Sequence, residues 1–172
     1  MKVENMFKKN RNGKTLHVFD LDGVLFKVNF DVDKQHMFLK IDNATNIEKN
    51  LEFFNSLPED QKCILTTRHP VLRKQLEEKF NCSVCCRNFA LSKFRMKLNQ
   101  KFKFFDNWFL DQMVKYKINE LNLMWEILNY EKILFYDDQA DRFTEHYSKL
   151  WKGITLIHVT GPMQFKILER EE

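Results

Sequence analysis

The chain has 172 residues, of which 44% are hydrophobic and 30% charged, and a net charge of +4. That balance is ordinary for a globular protein, and the length suits one domain, residues 1–172, with a substantial core. No stretch approaches the roughly 18 uncharged apolar residues of a membrane helix and the polar N-terminus does not read as a signal peptide, so a soluble intracellular (cytoplasmic) protein without a membrane partner is expected.

Residues 1–14 form a basic N-terminal arm with Lys8, Lys9, Arg11 and Lys14, closing on the turn dipeptide Asn12-Gly13. Gly13-Lys14-Thr15 looks like the end of a nucleotide-binding loop, but Lys8 stands where that loop needs a glycine, so the reading fails. Leu16–Phe19 is a short apolar run, expected as the first strand, and it ends in Asp20-Leu21-Asp22-Gly23-Val24. Two carboxylates leaving a buried strand are tolerated only with a cation or strong donors nearby. The glycine after them lets the backbone turn sharply and something approach closely. The pattern reads as a Mg²⁺ and phosphate site, or more plainly as an acidic surface turn.

Residues 25–44, with Asp31, Asp33 and His36, are expected as a small flap. Thr45 and Glu48 have capping-box spacing ahead of a helix carrying Ile47, Leu51 and Phe54, and Pro58 follows it. A strand over 62–66 ends in Thr66-Thr67-Arg68, and Pro70 fits the first turn of a helix with Leu72, Leu76 and Phe80 on one face. A third strand covers about 82–86, and Ile118, Leu121, Met124, Trp125 and Leu128 make a helical stripe. A fourth strand over 132–136 ends in Asp137-Asp138. A last helix would present Phe143, Tyr147, Leu150 and Trp151 before a fifth strand at 154–159. Strands alternating with helices of this length imply an α/β fold with a parallel sheet of about five strands flanked by helices. In such a sheet, ligands sit beyond the carboxyl ends of the strands. The endings Asp-x-Asp, Thr-Thr-Arg and Asp-Asp would therefore converge on one spot.

Phe19-Asp20-Leu21-Asp22-Gly23-Val24, Leu65-Thr66, a lysine at 117 or 115 placed just before a helix, and Tyr136-Asp137-Asp138 together resemble the four motifs of the haloacid dehalogenase superfamily of phosphohydrolases. The motifs run in the family's order from residue 19 to 138. The resemblance implies a Rossmann-like fold with a minimal cap or none, because only about forty residues separate the first two motifs. It also implies a Mg²⁺-dependent phosphomonoesterase that works through an aspartyl-phosphate on Asp20. Mg²⁺ would bridge Asp20, the Asp22 backbone carbonyl and Asp137, with Asp138 or Asp141 as the remaining acid. Asp22 would serve as general acid, Thr66 as a phosphate donor and Lys117 as the balancing charge. Thr67 and Arg68 follow the second motif as candidate substrate contacts. His17, His146 and His158 read as packing residues.

Between Glu78 and Asp106 no acidic residue occurs, while Lys79, Arg87, Lys93, Arg95, Lys97, Lys101 and Lys103 are interleaved with Phe89, Phe94, Phe102, Phe104 and Phe105. Basic residues interleaved with aromatics suit a phosphate backbone and stacked bases, so Lys93 and Arg95 are candidate substrate contacts. The plain alternative is an amphipathic element with a solvated face. With the open site, this favours phosphate esters at DNA or RNA ends, or nucleotides. A small-molecule phosphatase and a non-catalytic nucleic-acid-binding protein are the alternatives. Cys63, Cys82, Cys85 and Cys86 lack the further ligands a zinc site needs and are expected as core thiols.

Overall fold

The computed structural model describes residues 13–27, 41, 44–86 and 105–170, with side chains from residue 110 in the last of these stretches. The expected arm before residue 13, most of the flap, and Lys93 and Arg95 lie outside them. Six strands form one sheet: β1 (Thr15–Phe19), β2 (Lys62–Thr66), β3 (Ser83–Cys86), β4 (Lys132–Asp137), β5 (Ile154–Gly161) and β6 (Gln164–Ile167), in spatial order β3-β2-β1-β4-β5-β6. All neighbours are parallel except β5 and β6, which pair antiparallel. Among the described residues, three α-helices, α1 (Glu48–Ser56), α2 (Arg73–Phe80) and α3 (Phe105–Ile127), flank the sheet. None of the described helices is long and apolar enough to cross a membrane.

The two-residue period of the strands divides the core. Leu16, Val18, Cys63, Leu65, Ile133, Phe135, Ile154 and Leu156 point to one face, where Val114, Ile118, Leu121 and Met124 of α3 cover them with Phe143, Tyr147 and Leu150. Phe19, Ile64, Val84, Tyr136, Ile157 and Val159 point to the other, against Phe54 of α1 and Leu76 and Phe80 of α2. Each large apolar side chain buried this way contributes about 1.5–3 kcal/mol. Phe19 stacks on Tyr136 at 4.4 Å and meets Phe54 edge-on at 5.1 Å, so aromatic contacts lock β1, β4 and α1 together just below the first acidic motif.

Four expectations need correction. Thr45 does not cap α1; Ile47 occupies the N-cap position, with no side-chain cap. The Thr45 carbonyl instead accepts from Lys27 N, and Asn46 bridges Phe26, so this stretch is held as extended backbone against the segment after Asp22. The last helix is a 3-10 helix over Ala140–Lys149, which buries Phe143 and Tyr147 but leaves Trp151 outside and 47% exposed. Lys117 lies inside α3 rather than before a helix. Finally, a sixth strand returns antiparallel at the edge, after a turn in which Met163 adopts a left-handed conformation at φ 57°. Cys63 is buried and Cys82, Cys85 and Cys86 are half-buried, all with free thiols; burial pushes the Cys82 thiol up to about 12.

Candidate active site

Because β1 to β5 are parallel, their carboxyl ends lie along one edge. The direction of chain progression reverses between β1 and β4, which opens a crevice there. Asp20 follows β1, its backbone N–H donating to the Tyr136 carbonyl at 2.8 Å, and Asp137 closes β4. Both carboxylates are buried. Lys117 of α3, itself 4% exposed, reaches between them, with Nζ 2.9 Å from Asp20 Oδ2 and 2.7 Å from Asp137 Oδ2. Asp137 Oδ1 accepts from Gln139 N at 2.7 Å, which fixes the carboxylate's orientation.

Asp138 completes the group. One carboxylate oxygen from each of Asp20, Asp137 and Asp138 lies within 4.8 Å of the others. Asp138 is placed by His158 of β5, whose Nε2 hydrogen-bonds the Asp138 carbonyl at 2.9 Å, and by Gly23. A Cβ on Gly23 would stand 2.2 Å from Asp138 Oδ2, and the backbone there is left-handed at φ +79°, so glycine is required on both counts.

Burial pushes the Asp20 carboxyl well above the usual carboxylate range; Lys117 draws it back, while Asp137, Asp22 and Asp138 add to the rise. Burial, then the Asp137 charge, lifts Asp138 to about 6 against the pull of Lys117. Burial works against the Lys117 charge, but the Asp137 and Asp20 carboxylates overcome it and hold its pKa above the ordinary value. The acids of this group thus outnumber its one ammonium by two, and they repel one another. A divalent cation of the Mg²⁺ type, which takes oxygen donors and keeps several waters, fits that charge and that donor set.

Asp22 stands apart from the three. Its carboxylate is clasped by Arg68, Nε donating to Oδ2 at 3.0 Å and an Nη to Oδ1 at 2.6 Å. Thr66 ends β2 fully buried, its Oγ1 accepting from Arg68 N at 3.2 Å. Thr67 is half-buried beside it. Of the alternatives left open by the sequence, Lys115 is exposed and paired with Asp111 at 2.8 Å, and Asp141 is exposed on the 3-10 helix; neither joins the cluster.

Two contributors went unread in the sequence. His158 reads there as a packing residue, and its register opposite Asp137 on the neighbouring strand is what places it. Asn50 is 1% exposed; its Nδ2 donates to the Val24 carbonyl at 2.8 Å and its Oδ1 accepts from Met163 N at 2.7 Å. It ties the segment after Asp22 to the β5–β6 turn, and its place on the apolar stripe between Ile47 and Phe54 is the signal that could have found it. Comparison of the chain with protein-family models, with curated proteins and with solved structures finds no match in any of the three.

Proposed function

We propose that this protein is a Mg²⁺-dependent phosphomonoesterase with the Rossmann-like architecture of the haloacid dehalogenase superfamily, acting through Asp20. The observation that carries the reading is the gathering of Asp20, Asp137 and Asp138 around Lys117 at the carboxyl edge of a mostly parallel sheet. Phosphoryl transfer asks mainly for in-line positioning and neutralisation of the phosphoryl oxygens, and a cluster of carboxylates with a buried lysine at this edge supports that reading.

Asp20 attacks phosphorus; the Asp20–phosphorus bond forms as the ester oxygen leaves with a proton from Asp22. Asp22 then takes a proton from water, whose oxygen attacks phosphorus and releases inorganic phosphate and free Asp20. Thr66 donates to a phosphoryl oxygen, and Lys117 holds Asp20 and Asp137 in place while offsetting their charge. Asp20, Asp137 and Asp138 would hold Mg²⁺, which supplies Lewis-acid neutralisation of the phosphoryl oxygens. Asp22 acts from outside the three-carboxylate group, where Arg68 holds it before the reaction.

The run of basic residues and phenylalanines between Glu78 and Asp106 supports phosphate esters at nucleic-acid ends, or nucleotides, as substrates. Phosphate release from end-phosphorylated oligonucleotides, nucleoside monophosphates and a sugar phosphate, with Mg²⁺ and with chelator, tests the assignment. Release from the oligonucleotides that chelator abolishes is expected. Cleavage of the nucleotide with intact oligonucleotides would remove the polymer, and cleavage of the sugar phosphate alone would move the substrate to small metabolites.

A further inference from the structure

The clasp between Arg68 and Asp22 occupies a donor fork at the edge where phosphate would bind. Both oxygens of Asp22 accept from the Arg68 guanidinium, Oδ2 at 3.0 Å and Oδ1 at 2.6 Å. The Arg68 side chain is 4% exposed, its guanidinium 5.6 Å from the Phe26 ring, whereas the Asp22 side chain is 22% exposed. The cation is therefore the packed member of the pair and the carboxylate the movable one. Gly23, directly after Asp22, turns the backbone in a conformation other residues avoid. A guanidinium fork binds carboxylate and phosphate with the same planar geometry.

We infer that Arg68 is an anion seat for the substrate's phosphate, and that Asp22 fills it as a placeholder until phosphate arrives. The inference rests on the phosphatase reading and deepens it. Thr66 is two residues before Arg68, and its hydroxyl accepts from the Arg68 backbone N–H at 3.2 Å. Phosphate entering the seat displaces the Asp22 carboxylate from the guanidinium fork. Binding of the phosphate dianion and release of the acid are then one exchange. An ester without a dianionic phosphate competes poorly for the fork and leaves Asp22 clasped.

A double-mutant cycle tests this, with inorganic phosphate in Mg²⁺ buffer titrated calorimetrically into the wild type, Asp22→Asn, Arg68→Met and the double variant. The exchange predicts that Asp22→Asn binds phosphate tighter by roughly fivefold or more, and that Arg68→Met cancels this gain. Loss of a negative charge alone would raise affinity equally in both backgrounds, and that result overturns the exchange. Arg68→Lys, which keeps the charge and the packed stem but not the fork, should also lose most of the gain; a gain retained in full refutes the seat. Melting curves of each variant confirm a folded protein before titration. Mg²⁺-dependent turnover by the wild type without an Arg68-dependent gain refutes the exchange alone. No phosphate binding and no turnover by any variant refutes the phosphatase reading and the exchange with it.

Discussion

Replacing Gly23 by alanine should damage the fold and the acidic cluster through one atom. The added Cβ would lie 2.2 Å from Oδ2, 2.3 Å from Cγ and 2.8 Å from Cβ of Asp138. Because the Asp138 Cβ is itself too close, rotating the carboxylate away does not relieve the overlap, and the backbone after β4 must shift. The left-handed backbone at φ +79° costs an alanine about 1–2 kcal/mol, and overpacking of this kind costs about 1–3 kcal/mol. The total is about 2–5 kcal/mol, which in a chain of this size lowers Tm by roughly 4–20 °C. Scanning calorimetry with and without Mg²⁺ separates the two effects. At a hundredfold excess over Kd, a bound ion adds about 2.7 kcal/mol to the wild type. Gly23→Ala should lose most of that gain because Asp138 leaves the cluster. Gly153→Ala is the control: its Cβ would meet the Trp125 ring at 1.8 Å, so it should also destabilise while keeping the full Mg²⁺ gain. A Gly23→Ala protein that melts with the wild type, or that keeps the whole Mg²⁺ gain, would refute the reasoning.

Lys117→Met leaves Asp20 and Asp137 facing each other without their shared cation; removing one partner of a buried pair costs about 3–5 kcal/mol. Urea unfolding should show this loss, and Mg²⁺ should restore more stability to the variant than to the wild type. Asn50→Ala orphans the Val24 carbonyl and the Met163 N–H, at about 1–3 kcal/mol each; an unchanged urea midpoint would contradict the bracing role. His17 is half-buried against Tyr136 and Phe53, and burial holds its pKa below the ordinary 6.5. Since the unfolded chain binds the proton more readily, its contribution is complete above about pH 6.5 and shrinks as pH falls from there through the folded pKa. A His17→Gln protein should show a shallower loss of stability over that acid range than the wild type.

The parallel α/β architecture was legible because the central strands are marked by short apolar runs of the right length, and three of them end in residues that are costly to bury without purpose. The edge was not. β6 is exposed along most of its length, and its Gln164-Phe165-Lys166-Ile167 alternation spans only four residues, too short to mark a strand, so the Gly161-Pro162 dipeptide is the clearer signal of the turn that creates it. The capping box at Thr45 misled because local preference lost to the pairing of this stretch with Lys27 and Phe26. Lys117 could have been separated from Lys115 by position alone. It lies three residues after Val114 and four before Leu121, on the buried stripe of α3, whereas Lys115 lies off it. The Asp22–Arg68 clasp joins residues 46 apart in sequence, through a loop geometry that no local pattern encodes.

The central claim is that Asp20 is a nucleophile in a Mg²⁺-dependent phosphatase, and the most direct measurement is phosphate release from an aryl phosphate by the wild type and by Asp20→Asn. The account predicts turnover by the wild type that requires Mg²⁺ and is lost in the folded variant. No turnover by the wild type, or equal turnover by Asp20→Asn, would contradict it.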